Sequence, residues 1–158
     1  MKRIIITGCI ISALVISGCS TNMKSVYSST DKISSNSNSF NLNDESQTID
    51  NQSYVGKLEF EGMDTIWSYN AENNEGVELS YLLSIAKGKA KLVLINSNGD
   101  VETIIENEDN DQPTDMNSVK LSLTEGENRI KLVAQDNAQI ELKFNVSKGD
   151  IMKVGFDK

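Results

Sequence analysis

The chain of 158 residues contains no histidine. That removes Ser-His-Asp and Cys-His catalysis, imidazole metal ligation and the usual near-neutral pH switch together. Cysteine occurs only as Cys9 and Cys19, so nothing beyond residue 19 can be held by an internal disulfide and stability must come from a packed core. Proline occurs once, as Pro113, and tryptophan once, as Trp67. Basic residues are also short: 15 Lys and Arg face 23 Asp and Glu, for a net charge of −8. A surface of that sign argues against nucleic acid or bare anionic lipid as a partner. Carboxylate, Lys, Tyr or Ser–Lys chemistry is all that remains, and no motif points to it. The expectation is a protein that is not an enzyme and carries no cofactor.

What is present begins with an address. Lys2-Arg3 is followed by an apolar segment from Ile4 to Ile16, broken by Thr7, Gly8 and Ser12. A membrane span needs roughly 20 apolar residues and a secretory h-region only about 7–15, so the segment reads as a signal. It closes on Leu14-Val15-Ile16-Ser17-Gly18-Cys19, small residues directly before a cysteine. This layout resembles the lipobox of bacterial lipoprotein precursors. The resemblance implies cleavage between Gly18 and Cys19, a diacylglyceryl group on the Cys19 sulfur and a place on the extracytoplasmic face of the cell membrane. Two acyl chains on one residue are enough for stable anchoring. Cys9 leaves with the signal, and so do Lys2 and Arg3, which makes the mature chain more acidic still.

Residues 19–53 form the next unit. They are rich in Ser and Asn, with isolated apolar residues such as Val26, Ile33 and Phe40, and hold no period of 2 or 3.6. A segment of this kind is expected to be a flexible tether, with an r.m.s. span of about 30 Å.

From Tyr54 to the end the pattern changes to period 2. Val77, Leu79, Tyr81, Leu83 and Ile85 alternate with mostly polar residues, as do Val119, Leu121 and Leu123, and Ile140, Leu142, Phe144 and Val146. Such alternation means strands with one buried and one wet face. Leu92-Val93-Leu94-Ile95 is continuous and fits a strand covered on both faces. Lys87-Gly88, Asn98-Gly99, Glu125-Gly126 and Asp136-Asn137 read as turns. Further strands are expected near 54–61, 64–69 and 151–156. The sum is an all-β domain over 54–158, an antiparallel β-sandwich of about eight or nine strands, with jelly-roll and immunoglobulin-like orders both open. Its general look is similar to accessory β-sandwich domains of bacterial surface lipoproteins.

Two places invite a ligand. Trp67 and Tyr69 share a strand face and could stack on sugar rings, although a lone tryptophan is first of all a core plug with its N–H bonded to a strand end. The stretch 106–111, with Asp109, Asp111 and the later Asp115, offers oxygen ligands to a hard cation. Its spacing departs from the EF-hand pattern, and a solvated acidic loop is the plainer reading. Glu59 and Glu61 alternate on one face and read as a wet edge. The functional expectation is therefore a membrane-anchored, non-catalytic interaction or structural module that meets an envelope protein or polymer. A carbohydrate-binding or calcium-dependent adhesion module is the alternative, and a small hydrolase or inhibitor the third.

Overall fold

A computed structural model describes residues 23–156. The elements follow in the order α1 (Met23–Tyr27), α2 (Thr30–Ser34), β1 (Ser39–Asp50), β2 (Ser53–Ala71), β3 (Glu75–Ile95), β4 (Val101–Glu108), β5 (Asn117–Leu123), β6 (Gly126–Val146) and β7 (Asp150–Ile151). The strands pair antiparallel in the order β1-β2-β6-β3-β4, with β5 also on β3 and β7 also on β2. The architecture is the antiparallel β-sandwich that the alternation implies, but it is built from seven strands among the described residues, not eight or nine. Three of them are 19 to 21 residues long.

The strand count falls because two expected turns are bulges. β3 runs straight through Lys87-Gly88, and β6 runs through Asp136-Asn137. Register shifts break β1 between Leu42 and Asp44, β2 between Phe60 and Gly62, and β3 between Ile85 and Lys89. In β6 the pairing steps from Ala134 to Ala138 at the same level, where Asp136 and Asn137 have φ of 64° and 47°. A bulge bends its strand and sharpens its twist. Four neighbouring strands bent at one level fold the sheet over on itself along a corner. Glycine is required there: a Cβ on Gly62, whose φ is +110°, would stand 2.2 Å from the Ser39 carbonyl oxygen.

The corner makes two layers. Layer 1 holds residues 44–50, 53–60, 138–146, 75–85 and β5; layer 2 holds 39–42, 62–71, 126–134, 89–95 and β4. Their inner faces meet in one core, where Tyr54, Phe60, Leu83, Ile85, Leu142 and Phe144 of layer 1 join Ile66, Trp67, Leu92, Ile130 and Leu132 of layer 2. Tyr54 stacks on Phe144 with ring centroids 5.1 Å apart. The turns 72–74, 96–100 and 124–125 gather at the end opposite the corner, tied by Ser97 to Thr124 and by Asn74 to the Glu125 N–H.

The expected tether is the largest departure. Residues 39–50 are a paired strand, and residues 23–38 form an arm across the outside of layer 2. Val26, Tyr27 and Ile33 are buried there against Met63, Val93, Ile95 and Val133. This is how the run Leu92–Ile95 comes to be covered twice, by the core on one face and by the arm on the other. Helices of five residues have no stability of their own, so α1 and α2 exist only because they are docked. Polar contacts fix their position. The fully buried Lys131 donates from Nζ to the carbonyls of Ser35 (2.7 Å) and Ser37 (2.8 Å), and Arg129 donates to the carbonyls of Ser34 and Ser35. A buried charge is tolerable only when bonded in this way. The Tyr27 hydroxyl donates to Glu106 over 2.6 Å, and burial together with that carboxylate pushes the phenol well above its ordinary pKa.

Gly62→Ala is expected to cost about 3 kcal/mol or more, because strain and a backbone clash coincide. Gly99→Ala, also at positive φ but with open space around a Cβ, is expected to cost only about 1–2 kcal/mol. Urea unfolding midpoints of the two variants measure the difference; equal losses would show that the corner is not tightly closed.

Candidate functional site

The outer face of layer 1 is the part of the sheet left open, and alternation decides what it shows. Outward positions include Ser46 on β1, Lys57 and Glu59 on β2, Gln139, Glu141 and Lys143 on β6, and Ser84 on β3, with the apolar Val55 and Leu82 flanking Lys143. Register then aligns them into rows that no single strand reveals. Ser46 faces Lys57, Lys57 faces Glu141 and Glu141 faces Ser84. One step toward the corner, Asp44 faces Glu59, Glu59 faces Gln139 and Gln139 faces Lys87. Gln112, from the loop between β4 and β5, borders the same surface. Asp44, Ser46, Lys57, Glu59, Ser84, Gln112, Gln139 and Glu141 line an open groove of about 450 Å³.

The electrostatics of the groove centre on Glu141. Its carboxylate pairs with Lys143 at 2.9 Å and with Lys57 at 3.6 Å. The Lys143 bond, helped by Lys57, holds the Glu141 carboxyl below its usual range. A carboxyl held in the charged form is a hydrogen-bond acceptor at neutral pH and a poor proton donor. Glu59 accepts from Asn43 Nδ2 at 3.1 Å and stands on the groove side, whereas Glu61 accepts from the Asp136 N–H in the corner. Those two carboxylates do not work as a pair.

The residues singled out from the sequence lie elsewhere. Trp67 is fully buried in the core, and its indole Nε1 donates to the Lys148 carbonyl over 2.7 Å. It offers no face to a sugar. A bulge between Thr65 and Trp67 turns it inward, and the chain at Gly149 closes over it: a Cβ there would come 2.5 Å from Nε1. Tyr69 is half-buried, tilted against Trp67, and donates its hydroxyl to Glu75 over 3.0 Å. Lys148 and then Tyr69 hold the Glu75 carboxyl below its usual range. Each of the three loop aspartates already accepts a hydrogen bond from within the chain. Asp109 accepts from the Gly88 N–H, Asp111 from the Glu108 N–H, and Asp115 from Thr114. Among the described residues no three Asp, Glu, Cys or His side chains gather into a set that could hold a metal. Cys19 and Gly18 lie outside the described residues.

Sequence reasoning passed over Lys57, Gln139 and Glu141. Each is an unremarkable polar residue on a strand. The signal that could have found them is that these outward-facing polar positions alternate with Leu58, Phe60, Ile140 and Leu142 of the core, but only the register shows that they are neighbours.

No family model matches the chain, and no curated protein does. Solved structures share only a general likeness. A carbohydrate-binding module of family 29 aligns over 70% of this chain and 77% of its own, with 9% identity and a TM-score of 0.36. An exo-β-1,3-galactanase from Phanerochaete chrysosporium, solved with galactose, aligns over 70% of this chain and 29% of its own, with 16% identity and a TM-score of 0.33. Procruciferin, an 11S globulin from Brassica napus, aligns over 60% of this chain and 21% of its own, with 18% identity and a TM-score of 0.29. The chain thus spans under a third of the length of the last two. None of these likenesses bears on what the groove binds.

The burial of Trp67 predicts that acrylamide quenches its fluorescence only weakly in the folded protein, and that glycans added in excess leave the emission unchanged. Strong quenching before unfolding would place the indole at the surface and restore the stacking site.

Proposed function

We propose that the chain is a bacterial envelope lipoprotein, anchored to the membrane through a lipid on Cys19, whose β-sandwich is a non-catalytic module that holds an envelope polymer or protein in the groove of layer 1. The observation that supports the binding role is the pair of polar rows across β1, β2, β6 and β3, centred on a carboxylate kept charged by two lysines. Charged acceptors, amides and ammonium groups on a rigid sheet orient a polar ligand. The Glu141 carboxylate, held charged by its lysines, is not the neutral acid that hydrolysis of a glycoside needs.

A carbohydrate ligand is the second reading, and it changes its basis. With Trp67 in the core, sugar binding rests on hydrogen bonds between hydroxyl groups and Gln112, Gln139 and Ser84, with the Glu141 carboxylate accepting, and there is no stacking platform. Polyols bound in this way are expected to be held weakly, one site at a time, and to need a repeating polymer for avidity.

Two outcomes test the proposal. Cys19→Ser is expected to move the protein from the membrane fraction to the soluble fraction with its circular dichroism unchanged; continued membrane association would remove the anchor from the account. Glu141→Ala combined with Gln139→Ala is expected to reduce co-sedimentation with purified cell-wall polymer by about tenfold, equivalent to roughly 1.4 kcal/mol, while the melting temperature hardly moves. Unchanged co-sedimentation would take the groove out of the binding site, and release of soluble fragments from the polymer would make the protein an enzyme.

A further inference from the structure

The docked arm has a geometric consequence for the anchor. Met23 opens α1 and is the first described residue; its sulfur lies against Ser39, and Lys24 pairs with Asp136 at 2.9 Å. Ser39 and Asp136 both belong to the corner where the sheet folds over. Four Cα–Cα steps separate Cys19 from Met23, and at about 3.8 Å each they reach no more than about 15 Å. We infer that the bilayer carrying the Cys19 lipid is the surface against which the corner of the sandwich rests, and that the turn end points away from it. This rests on the lipid-anchor reading of Cys19 given above, and it replaces a long spacer with a short leash.

The charge distribution and one exposed side chain agree with that orientation. The turn end carries exposed Asp50, Glu72, Asp100, Glu125, Glu127 and Asp150. An anionic leaflet repels such an end. At the corner Lys24 and Lys87, both exposed, stand with Lys89 among Glu61, Glu108, Asp109 and Asp136, with Asp44 and Glu59 beside the register breaks, so the acids there are partly offset by lysines. Phe156, 52% exposed, lies just beyond Gly155, whose neighbours are Leu42 and Phe40 of the corner, and the Lys153 ammonium stands 5.7 Å above its ring. An aromatic ring with a long cationic side chain over it suits the headgroup region, where one end of the pair is apolar and the other wet.

The groove of layer 1 opens beside the corner, where its last row, Asp44, Glu59, Gln139 and Lys87, meets the register breaks. Residues 89–95 of β3 climb from the corner to the turn end, and at about 3.3 Å per residue they separate the two ends by roughly 20–25 Å. That distance is large enough to read with a probe placed at either end.

The experiment uses the full-length lipoprotein purified from membranes and placed in vesicles of phosphatidylethanolamine and phosphatidylglycerol that carry a headgroup nitroxide lipid. With the Cys19 sulfur occupied, a single introduced cysteine is the only free thiol. A fluorophore is attached at Lys87→Cys, by the corner, or at Asn98→Cys, in the β3–β4 turn. Both variants are expected to float with the vesicles, with quenching several-fold stronger at position 87 than at 98. A flexible insert of fifteen Gly and Ser residues between Asn22 and Met23, with an r.m.s. span of about 20 Å, is expected to bring the two probes together. Equal quenching without the insert, or stronger quenching at 98, overturns the orientation while the anchor stands. Asymmetry that survives the insert overturns the leash as its cause. Failure of the labelled proteins to float overturns the anchor reading, and the orientation with it.

Discussion

One sheet with an apolar face has to find something to cover it, and here the cover is the sheet itself. The constraint is satisfied at the corner, where β1, β2, β3 and β6 all break register at one level and the backbone passes through Gly62, Gly88, Asp136 and Asn137 at positive φ. Everything else follows from that bend. It brings Leu92 and Leu132 of one layer into the same core as Leu83 and Leu142 of the other. It also leaves two outer faces with different chemistry. Layer 2 shows Met63, Val93, Ile95 and Val133 and cannot remain bare, whereas layer 1 shows Lys57, Glu59, Gln139 and Glu141 and can.

The arm completes the apolar outer face. Its side of the contact is small: Val26, Tyr27 and Ile33 supply the buried apolar surface. Directional bonds make up the rest. Lys131 and Arg129 reach from β6 to the carbonyls at the end of α2, and the Asn38 side chain accepts from both the backbone N–H and the hydroxyl of Thr65. The free edge of the sandwich is closed by the C-terminal segment, through a buried Gln47 that accepts from the Val154 N–H and from the Tyr54 hydroxyl and donates to the Val154 carbonyl. Gly155 then donates to the buried Asp64. Both ends of the described chain are therefore tied to the sheet by buried polar groups. That is how a domain without disulfides holds segments that carry few apolar side chains.

Several features were legible in the residues alone. Alternation in 77–85, 119–123 and 140–146 marks inward and outward positions correctly, and the doubly covered run Leu92–Ile95 is where its composition puts it. Asn98-Gly99 and Glu125-Gly126 are turns between strands. Lys87-Gly88 and Asp136-Asn137 carry the same local signal and are not turns. A residue that tolerates positive φ serves a hairpin and a bulge equally well, and the choice depends on whether the strand beyond it finds its partner on the same side. The arm was illegible for a related reason. A few apolar residues spaced through Ser and Asn have no period, and they become core only because Val93 and Val133 are waiting for them.

The sequence by itself settled the fold class: strands from period 2, a core without disulfides beyond residue 19, and no imidazole chemistry. These are properties of local spacing and of residue type, which any conformation of the chain keeps. Tertiary structure alone decided that Trp67 is inside, that residues 23–50 belong to the domain, and that Lys57, Gln139 and Glu141 share a surface. Each of those depends on which residues from distant parts of the chain become neighbours, and strand register and the bend at the corner fix that only when the whole sheet forms.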